Sequence, residues 1–220
     1  KYEYFTPDEK NPLSVPASAA NTDRDSYYGP GNDPLKAYGK TTDLTAMGGA
    51  QYVHTFDKCF FMPSDLTAGL EYNRDRLKDN MWGYNRHTDQ TVNIYSAFLQ
   101  NEWKNDRWGI LYGGRQDKHN KVDKVNISPR ANFRVKPPQN NNLRLSYSSG
   151  FRAPQAFDED MHIENVGGTV AMIERAKDLK EEKSQSFSVS ADMYHRFGAF
   201  QTNLLIEGFY TRLTDVFVLG

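Results

Sequence analysis

Apolar and polar residues alternate along most of this chain with a period of two. From Leu143 to Arg152, Leu143, Leu145, Tyr147, Ser149 and Phe151 fall on one side, and Arg144, Ser146, Ser148, Gly150 and Arg152 on the other. That period is the mark of a strand with one apolar and one polar face. Leu66, Ala68, Leu70 and Tyr72 repeat it, as do Trp108, Ile110 and Tyr112, Phe133 and Val135, and Phe187, Val189, Ala191 and Met193. The pattern predicts about eight strands, at roughly 36–56, 64–79, 90–104, 107–118, 127–136, 142–153, 183–196 and 200–217. Several are longer than the roughly 9–11 residues that cross a bilayer. An arginine-bearing polar face that meets water, backed by an apolar face, describes a transmembrane antiparallel β-barrel with lipid outside and a wet lumen.

Connection lengths carry a second pattern. The links at 105–106, 137–141 and 197–199 are short, and those at 80–89, 119–126 and 154–182 are longer. Outer-membrane barrels have short periplasmic turns and longer extracellular loops, so the long links are expected outside. The link at 57–64 breaks the rule, being long where a short turn is due. Residues 1–35, rich in Pro, Asn, Asp, Ser and Gly, are expected to form an extracellular loop ahead of a barrel segment at 36–220. Within 154–182, Val170, Ile173, Ala176 and Leu179 have the spacing of a short amphipathic helix.

Composition narrows the class. In 220 residues, 25% are charged and mean hydropathy is -0.77, which excludes a bundle of membrane-spanning helices. A barrel passes, because only alternate residues face lipid. Aromatics make up 13%, as interface girdles require. A net charge of -1 gives no reason to expect nucleic acid. Cys59 is the single cysteine, so no internal disulfide forms. No Gly-x-Ser-x-Gly, Walker A, dinucleotide or paired-cysteine zinc spacing occurs, so neither an enzyme nor a cofactor nor a bound metal is expected.

Two stretches together resemble the barrel of TonB-dependent outer-membrane receptors. Phe151-Arg152-Ala153-Pro154 is similar to the Arg-Ala-Pro ending of one strand in that family. Asp178 to Ser184, with Leu179, Glu182 and Ser184 in matching places, is similar to the stretch that opens the next strand. The run Gly113, Arg115, Asp117 resembles the end of an earlier hairpin, and the general flavour is Bacteroides-like. The resemblance covers about 36–217. It implies a partial barrel of about eight strands taken from one of about 22. It also implies active uptake of a scarce nutrient such as a ferric siderophore, haem, cobalamin or a glycan. The expected partners are outer-membrane lipid, the nutrient, and the TonB complex reached through a plug domain for which this chain has no room.

The candidate residues follow. Arg115, Arg130, Arg134, Arg144 and Arg152 share lumen-facing parity with Glu71, Asp117, Asp192 and Glu207. They guide substrate or touch a plug on one reading and form a solvated wall of weak charge pairs on the other, which is favoured. Trp82 and Tyr84 lie in an expected external loop and offer apolar faces to a ligand, though interface anchoring explains them as well. His162 sits among Asp158, Glu159, Asp160 and Glu164. Haem receptors of the resembled family carry a loop histidine near these stretches, but a lone histidine lacks the three or four ligands of a metal site. Two rivals share the alternation: a complete eight-stranded barrel with a structural or adhesive role, and a soluble carbohydrate-binding β-sandwich. The first has to fit many long charged side chains into a narrow interior; the second has no use for detergent.

Overall fold

A computed structural model describes residues 2–4, 11–27, 38–138, 141–156, 164–166, 169–171 and 179–217. The eight long strands form where the alternation put them. They are β4 (Tyr38–Cys59), β5 (Met62–Met81), β6 (Arg86–Lys104), β7 (Trp108–His119), β8 (Asn126–Val135), β9 (Asn142–Arg152), β12 (Glu182–Phe197) and β13 (Phe200–Thr214). Each pairs antiparallel with its neighbour along the chain.

The expected loop over 1–35 is a correction. It contains β1 (Tyr2–Tyr4), β2 (Leu13–Val15) and β3 (Ala17–Tyr27). Both β2 and β3 pair with β4, and the register runs on unbroken from Leu13↔Tyr52 to Ala17↔Gly48. They are one strand interrupted at Pro16, which has no N–H to give the ladder; its carbonyl still accepts from Gly49 N at 3.0 Å. Periodicity missed β3 because Ala17, Ala19, Asn21, Asp23 and Asp25, on the face that is apolar elsewhere, are small or polar. Its pairing along β4 supplies what its side chains do not.

The result is an 11-stranded sheet in which neighbours in space are neighbours in sequence, with β2 and β3 sharing one position. It is open: among the described residues β13 pairs only β12, and β1 only β2. This excludes the closed eight-stranded barrel and corrects the strand count upward. A separate hairpin, β10 (Glu164–Val166) with β11 (Thr169–Ala171), occupies the long connection. The start of the expected helix is therefore strand, and its remainder over 172–178 lies outside the described residues.

The links depart from the expected lengths at both ends of the sheet: that at 136–141 is as long as that at 120–125. The 57–64 connection shrinks to the turn Phe60–Phe61, with Phe60 at φ 62. At the opposite end of the sheet, the 80–89 link is only Trp82–Asn85, because β5 and β6 continue pairing as far as Met81↔Arg86.

One face of the sheet is apolar and exposed along its whole width. Leu70, Leu99, Tyr112, Leu145, Val189, Leu204 and Ile206 lie on it. Aromatic pairs bound it. Toward the short turns, Phe61 stacks on Trp103 with centroids 5.7 Å apart, and Trp108 lies 5.4 Å from Phe133. Trp103 Nε1 also donates to the Cys59 carbonyl at 3.0 Å, tying the girdle to the turn. Toward the other end, Tyr72–Tyr95 and Tyr147–Phe187 sit at 4.9 and 4.8 Å. From Met62 to Tyr72 is eleven residues of tilted strand, about the 25 Å height of a membrane band.

Candidate functional site on the polar face

The face opposite the apolar one concentrates the predicted charges. Cross-strand register sets Glu71, Ser96, Asp117 and Asn126 in one row over β5, β6, β7 and β8. Arg115 lies one row away and reaches into it. Its Nη2 donates to Glu71 Oε1 and Ser96 Oγ, both at 2.7 Å, and its Nε to Asp117 Oδ1 at 2.8 Å. Ser96 Oγ in turn donates to Asp117 Oδ1 at 2.5 Å, and Asn73 Nδ2 to Glu71 Oε1 at 2.7 Å. Two carboxylates and one guanidinium leave this cluster with a net charge of -1.

The Gly113, Arg115, Asp117 run now has a physical account. Arg115 and Asp117 make the cluster. Gly113 lets β6 come close: a Cβ there would meet Gln100 Cβ at 2.4 Å and the Leu99 carbonyl at 2.6 Å. Beside the cluster lies a depression of about 380 Å³ lined by Glu71, Phe98, Gln100, Arg115, Arg130 and Ser148. Arg130 donates to Gln100 Oε1.

Below it the face mixes charges of both signs. Arg134 and Arg144 stand directly opposite each other, with Glu207 two strands on, across Ser190. Like charges in that position repel unless an anion lies between them. Asp192 accepts from Asn203 Nδ2 at 2.5 Å. At the far end, Arg152 sits 3.9 Å from Glu182 and 5.7 Å from the centre of the Phe217 ring.

The two family-like stretches, far apart in sequence, meet as one ladder. Arg152 faces Glu182, Phe151 faces Lys183 and Gly150 faces Ser184. Glu182 Oε1 also accepts from Phe217 N at 2.5 Å, so it fastens the end of β13. Just before it, the Glu181 carboxyl is held below the ordinary carboxylate range, chiefly by a backbone hydrogen bond and then by Lys183. Leu179 is half-buried and Ala153 buried.

Other features were not singled out from the sequence. After Ala153 the chain turns onto the polar face. Gln90 Nε2 donates to the Ala156 carbonyl at 2.9 Å, and Ala156 N donates to Gln90 Oε1 at 3.0 Å. His119, buried, accepts from Lys121 N on Nδ1, so its Nε2 carries the proton and donates to Gln155 Oε1 at 2.9 Å. Further along that end, Asp79, 0% exposed, accepts from Thr41 Oγ1 at 2.7 Å and from Arg86 Nε and Nη2 at 3.0 and 2.9 Å. Leu77, Met81 and Val92 are buried with them. Parity alone signals these residues: Asp79 and His119 continue the polar-face series of Glu71 and Asp117.

Trp82 is exposed and Tyr84 half-buried in the β5–β6 link, away from the Arg115 cluster. His162 lies outside the described residues. Among the described residues no group of His, Cys, Asp and Glu could hold a metal ion.

The TonB-dependent receptor-like β-barrel family model matches residues 2–220. The chain belongs to that family, whose members sit in the bacterial outer membrane and act as transporters. No curated protein matches it. Among solved structures it is similar to the siderophore receptor PirA from Pseudomonas aeruginosa, at 11% identity and a TM-score of 0.61, covering 89% of this chain and 39% of that one. PirA from Acinetobacter baumannii gives 18% and 0.59, covering 92% and 39%. A mutant of the ferric enterobactin receptor PfeA from Pseudomonas aeruginosa gives 18% and 0.61, covering 92% and 32%. The chain thus spans between about a third and two fifths of the structures it resembles.

Proposed function

We propose that this chain forms part of the barrel wall of a receptor that takes up a ferric siderophore across the outer membrane, driven through TonB. The observation that carries the reading is the division of the sheet. One face is apolar and bounded by two aromatic girdles, and the other holds the Glu71–Arg115–Asp117 cluster and the Arg130, Arg134 and Arg144 patch. The first face meets lipid, and the second lines the lumen and touches whatever fills it. Trp82 and Tyr84 belong to the external rim. The siderophore part draws on the names of the similar structures; haem, cobalamin and glycans are the competing cargoes.

Uptake of labelled ferric siderophore by iron-starved cells, with and without the gene for the receptor containing this chain, tests the cargo. Loss of uptake on deletion, restored by the gene, is expected; uptake of only haem, cobalamin or a glycan replaces the siderophore. Facing is tested separately with cysteines in that receptor. Water-soluble maleimide should label positions 144 and 146 through the lumen, and a lipid-borne probe should label 145 and 147. The opposite pattern reverses the assignment.

A further inference from the structure

Toward the external end of the sheet, β8 and β9 part. Among the described residues their pairing stops at Arg130↔Ser148, while β8 runs on against β7 to Asn126 and β9 against β12 to Arg152. Pro129, next in line on β8, has no N–H for the ladder, and its carbonyl accepts from the Ser149 hydroxyl at 3.5 Å. Side chains bridge the fork that this leaves. Residues 153–156 follow β9, begin with the buried Ala153, and reach back past β8 to β7 and β6.

Two attachments hold this strap. Gln90 on β6 exchanges two hydrogen bonds with the main chain of Ala156, at 2.9 and 3.0 Å. His119, the last residue of β7, donates from Nε2 to Gln155 Oε1 at 2.9 Å and accepts on Nδ1 from Lys121 N at 3.0 Å. Only the neutral ring can do both. An imidazolium carries a proton on each nitrogen. Its Nδ1–H would point at the Lys121 N–H, and the ring would have to turn away from Gln155.

The surroundings favour the neutral ring. His119 is 1% exposed, and burial is the chief cause that holds its pKa below the ordinary histidine value. Lys121 acts in the same direction, whereas Gln155 and Asp117 oppose it. Asp117 is already engaged by Arg115 and Ser96, and the Lys118 ammonium is turned to the Val122 and Asp123 carbonyls. On β6 the register sets Ile94 opposite the ring, and β8 ends its pairing with β7 at Asn126; both are uncharged.

We propose that Gln90 and His119 form an acid-sensitive tie across the β8–β9 fork, fully seated when His119 is neutral and left on Gln90 alone when it is protonated. A buried base stabilises the seated arrangement fully above its ordinary pKa of about 6.5. That stabilisation is lost as pH falls from there through the depressed value. Asn120 provides a contrast. It holds the β7–β8 link to β6 through Asn93 and Thr91, by bonds that no titration touches. The tie is independent of the cargo.

Hydrogen exchange of the whole receptor containing this chain tests it, read by mass spectrometry on overlapping peptides and corrected for intrinsic rates. Between about pH 7.5 and about pH 5.5 the amides of Lys121 and Ala156 should come to exchange about fivefold faster or more. Asn93 should keep its protection. The H119Q variant should lose the pH response, and Q90A should speed exchange at Ala156 at both pH values. An unchanged rate at Ala156 on acidification, a pH response that survives in H119Q, or full protection in Q90A overturns the tie. Equal acceleration at Asn93 would mean that the whole margin loosens in acid, and it too would overturn the proposal. Heat-modifiable migration on gels verifies that each variant is folded.

Discussion

Individual side chains on the two faces obey opposite rules. On the polar face, Asp79 is fully buried and satisfied by Thr41 and a bidentate Arg86. Removing one partner of such a pair strands the other charge out of water, at a cost of about 3–5 kcal/mol. Arg86→Met in the receptor should therefore destabilise by that amount in urea unfolding. Asp79→Leu combined with Arg86→Met should recover much of it, because no charge is left stranded; equal losses in single and double variants would show that the pair itself supplies the stability. On the apolar face the penalty comes from lipid. Ile206 lies between Phe200 and Tyr210 on the apolar face, within the band. Ile206→Arg should cost about 2–4 kcal/mol, whereas Glu207→Gln, one residue on and facing the other way, should cost little. Similar costs for both would contradict the division of the sheet.

At the scale of strands and hairpins, close approach decides. Gly113 sits where β6 backbone and Gln100 leave no room for a Cβ, while the nearest atoms to a Cβ at Gly114 are 3.9 Å away. Gly113→Val should weaken β6–β7 pairing by about 1–3 kcal/mol, and Gly114→Ala should be silent; refolding yield into detergent micelles measures both, and tolerance of Gly113→Val would mean the strands separate more easily than the packing suggests. The contrast also explains what could be read from the sequence. Strands with a clean apolar parity, such as Leu143–Phe151 and Phe187–Met193, were legible because lipid demands an uncharged face. The strand Ala17–Tyr27 was not, since it pairs with β4 from the level of Tyr72 outward and needs no apolar side chains there. The lumen-facing set was legible from parity. Its actual partners were not: that Arg115 chooses Glu71, far away in sequence, follows from the β5–β6–β7 register, which alternation does not specify. The fold-back of Gln155 and Ala156 onto Gln90 and His119 had no periodic signal at all.

For the whole molecule the controlling fact is that the sheet does not close. Among the described residues its strand positions run from β1 to β13 without a bond between the ends. A barrel of about 22 strands has no edges, and this arc covers about a third of the similar structures while leaving two edges unpaired. On its inner face the terminal strand exposes Leu205, Phe209 and Leu213, Phe209 to 86%, beside the polar residues Asn203 and Glu207. On its outer face it exposes Leu204, Ile206 and Tyr210. A strand that is apolar on both faces and unpaired along one edge is a template for association. The 220-residue chain produced alone should therefore aggregate in buffer, disperse only in detergent, and give no heat-stable barrel species on unboiled gels. The receptor that contains it should give such a species. Size-exclusion chromatography with light scattering measures the first, and gel migration the second. A monodisperse, detergent-free monomer would mean that the exposed apolar face is covered by the chain itself, and the β-sandwich reading would then return.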